Sequence, residues 1–122
     1  LVGAPSYPPF DDPTSQVISE LQPVPEEPVL TKVTSGPAVG TDIIGDLRSR
    51  SISTVVVTGV ATNVCVMGMA RELADADFDV LVVQDACAAI GEATHEAALA
   101  SLATTFASVV SSSDVRFDIG AG

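Results

Sequence analysis

S-T-V-V-V-T-G-V-A-T-N-V-C-V-M-G-M-A, Ser53 to Ala70, is the stretch around which the rest of the chain is organised. Val55-Val56-Val57 is an apolar, β-branched run, the pattern of a strand buried on both faces. Thr58-Gly59 stops that strand, and after a short polar turn Asn63 stands where a helix N-cap is predicted. Cys65 then falls in the first helical turn, where unpaired N–H groups and the positive end of the helix dipole favour a thiolate. The carboxyl end of a buried strand is also where open α/β sheets place their chemistry. On position alone two readings of Cys65 stay open, a reactive thiol and a small core hydrophobe.

Composition narrows the class. A chain of 122 residues allows one domain with a single core. With 47% hydrophobic residues but only 4% aromatic, that core is built from Val, Ala, Leu and Ile. No apolar run approaches the roughly 18 residues of a membrane helix, and the opening residues do not read as a signal peptide. Cys65 and Cys87 are the two cysteines, without Cys-x-x-Cys spacing. A disulfide framework and a metal site are therefore not expected, and a reducing cytoplasm fits. Sixteen acidic residues against five basic ones give a formal net charge of −11, which argues against nucleic acid and anionic membranes as partners. Lys32 is the sole lysine. Such a balance resembles proteins of a high-salt cytoplasm, with an ordinary acidic bacterial protein as the alternative. If the first holds, thermal stability should climb steadily from low to molar KCl, beyond the generic salting-out shown by a non-acidic relative. An unchanged melting temperature would leave ordinary acidity.

Outward from the centre, residues 1–27 read as a proline-punctuated surface loop, with short helical character over Thr14 to Leu21. Tyr7 and Phe10 could border a pocket there, though anchoring the loop is the commoner use of such aromatics. Pro28 to Lys32 reads as a short strand opened by proline. Ser35 to Gly40 is a loop, and Thr41 is predicted to cap a helix running to about Ser49, with Asp42 in its first turn and Arg48 and Arg50 at its end. Downstream of Cys65 the helix runs to about Ala76. Gly68 inside it costs about 1 kcal/mol against alanine, which marks close approach of another backbone. Met67 and Met69 read as core or interface filler. Phe78 to Gln84 is the next strand, followed by Asp85 as a capping residue of a turn. Gly91 to Phe106 is a helix with Ala98, Leu99, Leu102 and Phe106 on one stripe, and it carries the single histidine, His95, in a structural role. Ala107 to Ser111 is the last strand, and an irregular tail closes the chain. Alternating strands and helices imply a parallel sheet with right-handed crossovers.

Gly59-Val60-Ala61-Thr62-Asn63-Val64-Cys65-Val66 resembles the nucleophile turn of the isochorismatase-like cysteine hydrolases, a family that includes nicotinamidases and ureidoacrylate hydrolases. The likeness continues through Ala70-Arg71, Asp85-Ala86-Cys87-Ala88 and His95-Glu96-Ala97-Ala98-Leu99, and upstream to Lys32 and Thr41-Asp42. Several spaced blocks in order are more specific than one motif. The resemblance implies a three-layer α/β/α fold with a parallel, Rossmann-like sheet, one domain over 1–122 with an α/β core at 28–115 and a tail at 116–122. It also implies a cysteine hydrolase of a small amide, carbamoyl or ureido compound, in which Cys65 attacks a carbonyl and Lys32 stabilises its thiolate. The N–H groups of Ala61 and Cys65 would hold the oxyanion, with a cis peptide between Val60 and Ala61. Thr62, Asn63 and the loop residues Gly36, Pro37 and Ala38 would line the pocket. Family members often carry a Ser-Ala-Phe-like stretch at that loop, so this wall is smaller here. No cofactor is implied, and a homo-oligomer, dimer or tetramer, is expected.

Two other readings stay open: vinyl-ether cleavage of the isochorismatase type, which needs no cysteine, and a non-catalytic assembly or ligand-binding subunit. The family's proton-shuttling aspartate ends a first strand. Asp11 and Asp12 are the only upstream candidates, and their proline-flanked setting is wrong for a strand end. The expectation is that the fold's first two strands, lacking here and lying mid-sheet between the Lys32 and Val55 strands, come from an N-terminal strand–helix–strand segment of about 50–80 residues in the protein or from a partner chain. Cys65 rather than Cys87 is expected to be the reactive thiol.

Overall fold

The computed structural model describes residues 8–118, and the chain divides into two compact units, Leu1–Leu30 and Thr31–Gly122. In the first unit, 3-10 turns form at Pro13–Ser15 and Ser19–Leu21 in place of one helix over Thr14 to Leu21. Asp12 caps the first, its carboxylate accepting from the Thr14 N–H at 2.8 Å and from the Thr14 hydroxyl at 2.6 Å. Val17, Ile18 and Leu21 all remain exposed. A short helix is held by the burial of its apolar face, and without that burial only isolated turns persist. Phe10 is also exposed, so it does not anchor the loop, and Tyr7 lies outside the described residues.

The second unit is an open sheet of three parallel strands with helices. Its elements are α1 (Ile43–Ser49), β1 (Thr54–Val60), α2 (Met67–Asp75), β2 (Asp79–Ala88), α3 (Glu92–Thr105) and β3 (Ser108–Val110). The strands lie in the order β1-β2-β3, with Val55 opposite Val80, Val57 opposite Val82, and Val82 opposite Val109. Val57, Val80 and Val82 pack with Val66, Ala70, Leu73, Phe78, Leu99 and Leu102 in one apolar cluster, against which Ile44, Leu47, Met67, Met69 and Phe106 also rest. The predicted α3 stripe is thus the buried one. No described helix is long and apolar enough to cross a membrane.

Four features differ from expectation for physical reasons. Pro28 to Lys32 forms no strand, because no strand among the described residues lies beside it to take its backbone hydrogen bonds. β1 is an edge strand for the same reason, with Val57 buried, Val55 and Val56 half-buried and Val60 exposed, so it is not buried on both faces. α1 begins at Ile43, with Asp42 rather than Thr41 at the cap position; the Thr41 hydroxyl donates instead to the Pro37 carbonyl. β2 also runs further than Gln84. Register shifts between Val57 and Gly59, so that Gly59 faces Cys87 and Val60 faces Ala88. Gly59 takes φ of +118° at this shift, a conformation open to glycine at little cost.

Gly68 sits where its spacing on α2 suggested close contact. A Cβ there would stand 3.0 Å from the Gly36 nitrogen and 3.1 Å from the Ser35 carbonyl carbon. Gly68→Ala should therefore bring none of the roughly 1 kcal/mol that alanine ordinarily adds inside a helix. A clear rise in melting temperature would show that the Ser35–Gly36 backbone yields freely.

Candidate functional site

The carboxyl end of β1 leads through Ala61 into a π turn, Thr62–Val66, from which α2 continues without a break. The Ala61 carbonyl accepts from the Val64 N–H at 3.0 Å and from the Val66 N–H at 3.2 Å. Ala61 therefore takes the cap position with its backbone, and Asn63 lies exposed inside the turn and caps nothing. Widening the first turn by one residue is the reason the predicted Asn63 cap fails. π turns of this kind recur at functional sites. The peptide between Val60 and Ala61 is cis.

Cys65 lies within this π turn, half-buried and outside any disulfide. Lys32, also half-buried, reaches it from 33 residues upstream: its Nζ donates to Cys65 Sγ at 3.4 Å and to the Thr34 carbonyl at 2.7 Å. Among the described residues the one ion pair joins Arg50 to Asp46, so the Lys32 ammonium faces a thiol and a carbonyl rather than a carboxylate.

Gly36, Pro37 and Ala38 follow in a loop laid against α2. Gly36 is buried, and the Ala38 N–H donates to Glu72 Oε2 at 2.8 Å. The Thr34 hydroxyl donates within the same loop to the Gly36 carbonyl, and to the Val39 carbonyl at 3.2 Å. Thr62 is fully buried, and its Oγ1 is 2.8 Å from His95 Nδ1, so this side chain ties the turn to α3. His95 accordingly holds the turn through Thr62, and no contact places it on Cys65. Glu72 was not singled out in the sequence. Its signal was there, since it follows Cys65 by two helical turns and Gly68 by one, on the same face.

Cys87 is placed differently. Burial pushes its thiol up from the ordinary value, the Asp85 charge adds to this, and a hydrogen bond with the Gly59 backbone partly offsets it. Cys87 stays a thiol at neutral pH. Limited alkylation at pH 7 followed by peptide mapping should mark Cys65 first; preferential marking of Cys87 would reverse the assignment.

Asp85 is spent on structure. Its carboxylate accepts from the Ser112 N–H at 2.8 Å and from the Ser112 hydroxyl at 2.5 Å, and these bonds hold its pKa below the ordinary 3.8. The folded value lies under the unfolded one, so the stabilisation is complete above about pH 4 and fades as pH falls through the folded value. Asp85→Asn should lower the melting temperature at pH 7 and make little difference at the acid end of the range. An equal deficit at both ends would show that Asp85 acts without its charge.

Comparison with known proteins gives a consistent picture. Residues 3–114 match the family model described as the isochorismatase domain. The chain is 35% identical over 91 residues to ureidoacrylate amidohydrolase RutB of Methylobacterium radiotolerans, covering 74% of this chain and 35% of that protein. An isochorismatase family protein from Burkholderia thailandensis superposes with a TM-score of 0.82 at 33% identity, over 93% of this chain and 60% of that one. The pyrazinamidase/nicotinamidase of Streptococcus mutans UA159 superposes with a TM-score of 0.63 at 34% identity, over 65% and 44%. The chain thus spans between 35% and 60% of the length of these relatives.

Proposed function

This chain belongs to the isochorismatase domain family, and from that premise we propose that it carries the nucleophile of a cysteine hydrolase acting on a small amide, carbamoyl or ureido compound. The observation that carries the reading is the 3.4 Å contact between the ammonium of Lys32 and the sulfur of Cys65 at the end of β1. The names of two relatives, an amidohydrolase and a nicotinamidase, support C–N hydrolysis over the family's vinyl-ether chemistry.

In the proposed reaction the Cys65 thiolate attacks the substrate carbonyl carbon. The N–H groups of Ala61 and Cys65 stabilise the resulting oxyanion. Collapse of the tetrahedral intermediate breaks the C–N bond, and ammonia or an amine leaves after taking up a proton. Water then attacks the thioester, releasing the acid and returning the thiol to Cys65. Lys32 steadies the negative charge on sulfur before attack. The resemblance assigns the proton transfers to an aspartate, which we place on none of the residues described. We assign Gly36, Pro37, Ala38 and Asn63 to the substrate wall, whereas Thr62, fully buried, ties the turn to α3.

The reading is tested by assaying the full-length protein for ammonia release across nicotinamide, carbamoyl and ureido compounds. Release from at least one of the three, lost on blocking Cys65 by alkylation, is the expected result. Release that persists with Cys65 fully alkylated would remove the thiol from the mechanism, and silence across the whole panel would remove the amide chemistry.

A further inference from the structure

Lys32 has three rotatable donors on a flexible stem, so something must hold it on Cys65. The second acceptor of its ammonium is the Thr34 carbonyl, and the path leads from there into the loop that α2 grips. That grip has two parts, one helical turn apart. Gly68 lets the Ser35–Gly36 backbone approach α2 to within about one Cβ contact, a Cβ there meeting Gly36 N at 3.0 Å. Glu72 then lies over Gly36, its carboxylate filling the place a Gly36 side chain would need, and accepts from the Ala38 N–H at 2.8 Å. Thr34 is tied into the same loop through its hydroxyl bonds to the Gly36 and Val39 carbonyls. The contacts therefore run from Glu72 to Ala38 and Gly36, to Thr34, to Lys32 and to Cys65, and return to Glu72 along α2, which grows directly out of the Cys65 turn.

We infer that Glu72 is a positioning residue for Lys32, holding the 34–38 loop so that the Thr34 carbonyl aims the ammonium at the Cys65 sulfur. The inference rests on the reading of Lys32 and Cys65 given above. Glu72 acts here as a hydrogen-bond acceptor toward a backbone N–H, a role in which geometry counts and charge is secondary. A neutral side chain of the same shape should therefore substitute for it.

The test is the pH profile of Cys65 labelling by iodoacetamide in the full-length protein, read by peptide mass spectrometry, with Cys87 in the same digest reporting any general loosening. Lys32→Met is the reference and should move the profile to higher pH. Glu72→Ala should slow Cys65 labelling at pH 7 by about three- to tenfold and move the profile the same way, within the range over which neighbouring charges tune thiols. Glu72→Gln, which keeps an oxygen for the Ala38 N–H, should remain within about twofold of the unaltered protein. Gly36→Ala should copy Glu72→Ala, because its methyl group displaces the carboxylate, and it serves if Glu72→Ala folds poorly. In a Lys32→Met background Glu72→Ala should change nothing further, as expected when one residue acts through the other.

Equal slowing with and without Lys32, a gain in Cys87 labelling that parallels the loss at Cys65, or failure of Glu72→Gln to rescue would each overturn the inference. A normal Glu72→Ala profile beside a shifted Lys32→Met profile would overturn it alone, leaving the Lys32–Cys65 pairing intact. An unmoved Lys32→Met profile would remove that pairing, and the positioning role with it.

Discussion

Cys65→Ala is expected to reduce amide hydrolysis by on the order of 10⁴-fold or more, the scale on which deletion of a catalytic nucleophile acts elsewhere. In the proposed reaction the sulfur bonds the substrate only after binding, so the loss should fall on kcat. Cys65 is half-buried in the π turn and not part of the main apolar cluster, so folding should survive the change. Cys87→Ala is the paired control: that thiol is held protonated by burial and by Asp85, and activity should persist without it. Comparable losses from the two substitutions would point to a folding effect. Full activity in Cys65→Ala would exclude a thioester route.

Leu102→Ala should have the largest effect on stability. Leu102 is fully buried on α3 and lies in one cluster with Val57, Leu73, Val80 and Val82. Truncating a buried leucine costs about 2–5 kcal/mol, from the lost transfer free energy plus the cavity left behind. Against a usual total of about 5–15 kcal/mol, that is a large share of the fold's stability. Urea unfolding should show a lower midpoint with an unchanged slope. Ile90, 95% exposed, is the contrast, and Ile90→Ala should stay within about 0.5 kcal/mol. Similar midpoints for the two variants would mean that the cluster does not hold the sheet together.

What could be read from the sequence was what local pattern determines. The Val55–Val57 run, the turn at Gly59 and the apolar stripe on α3 announce themselves by periodicity, and the strand–turn–helix around Cys65 follows from them. The elements that escaped are those decided by partners distant in sequence. Pro28 to Lys32 has the composition of a strand but no neighbour among the described residues, and strand pairing is what makes a strand. β2 continues to Ala88 because it pairs again with Gly59 and Val60 beyond the register shift, which nothing near Gln84 reveals. Asn63 looked like a cap because caps are read one turn ahead of an α-helix, and here the first turn is a π turn capped by the Ala61 carbonyl.

The site divides in the same way. Cys65 could be located from its own surroundings. Lys32 was singled out as the only lysine and through its family resemblance, and its nearness to Cys65, across 33 residues, is a tertiary fact. Glu72 was passed over because an acid on an amphipathic helix reads as a solvated face until the loop that lies on it is seen.

The most direct measurement is rapid quenching of the full-length protein during turnover of an amide that the ammonia assay identifies, followed by peptide mass spectrometry. An acyl group of the substrate's mass on the peptide containing Cys65, appearing before the acid product and decaying as it forms, is the predicted result. Turnover with Cys65 unmodified at every quench time, together with retained activity in Cys65→Ala, would contradict a thioester on this sulfur.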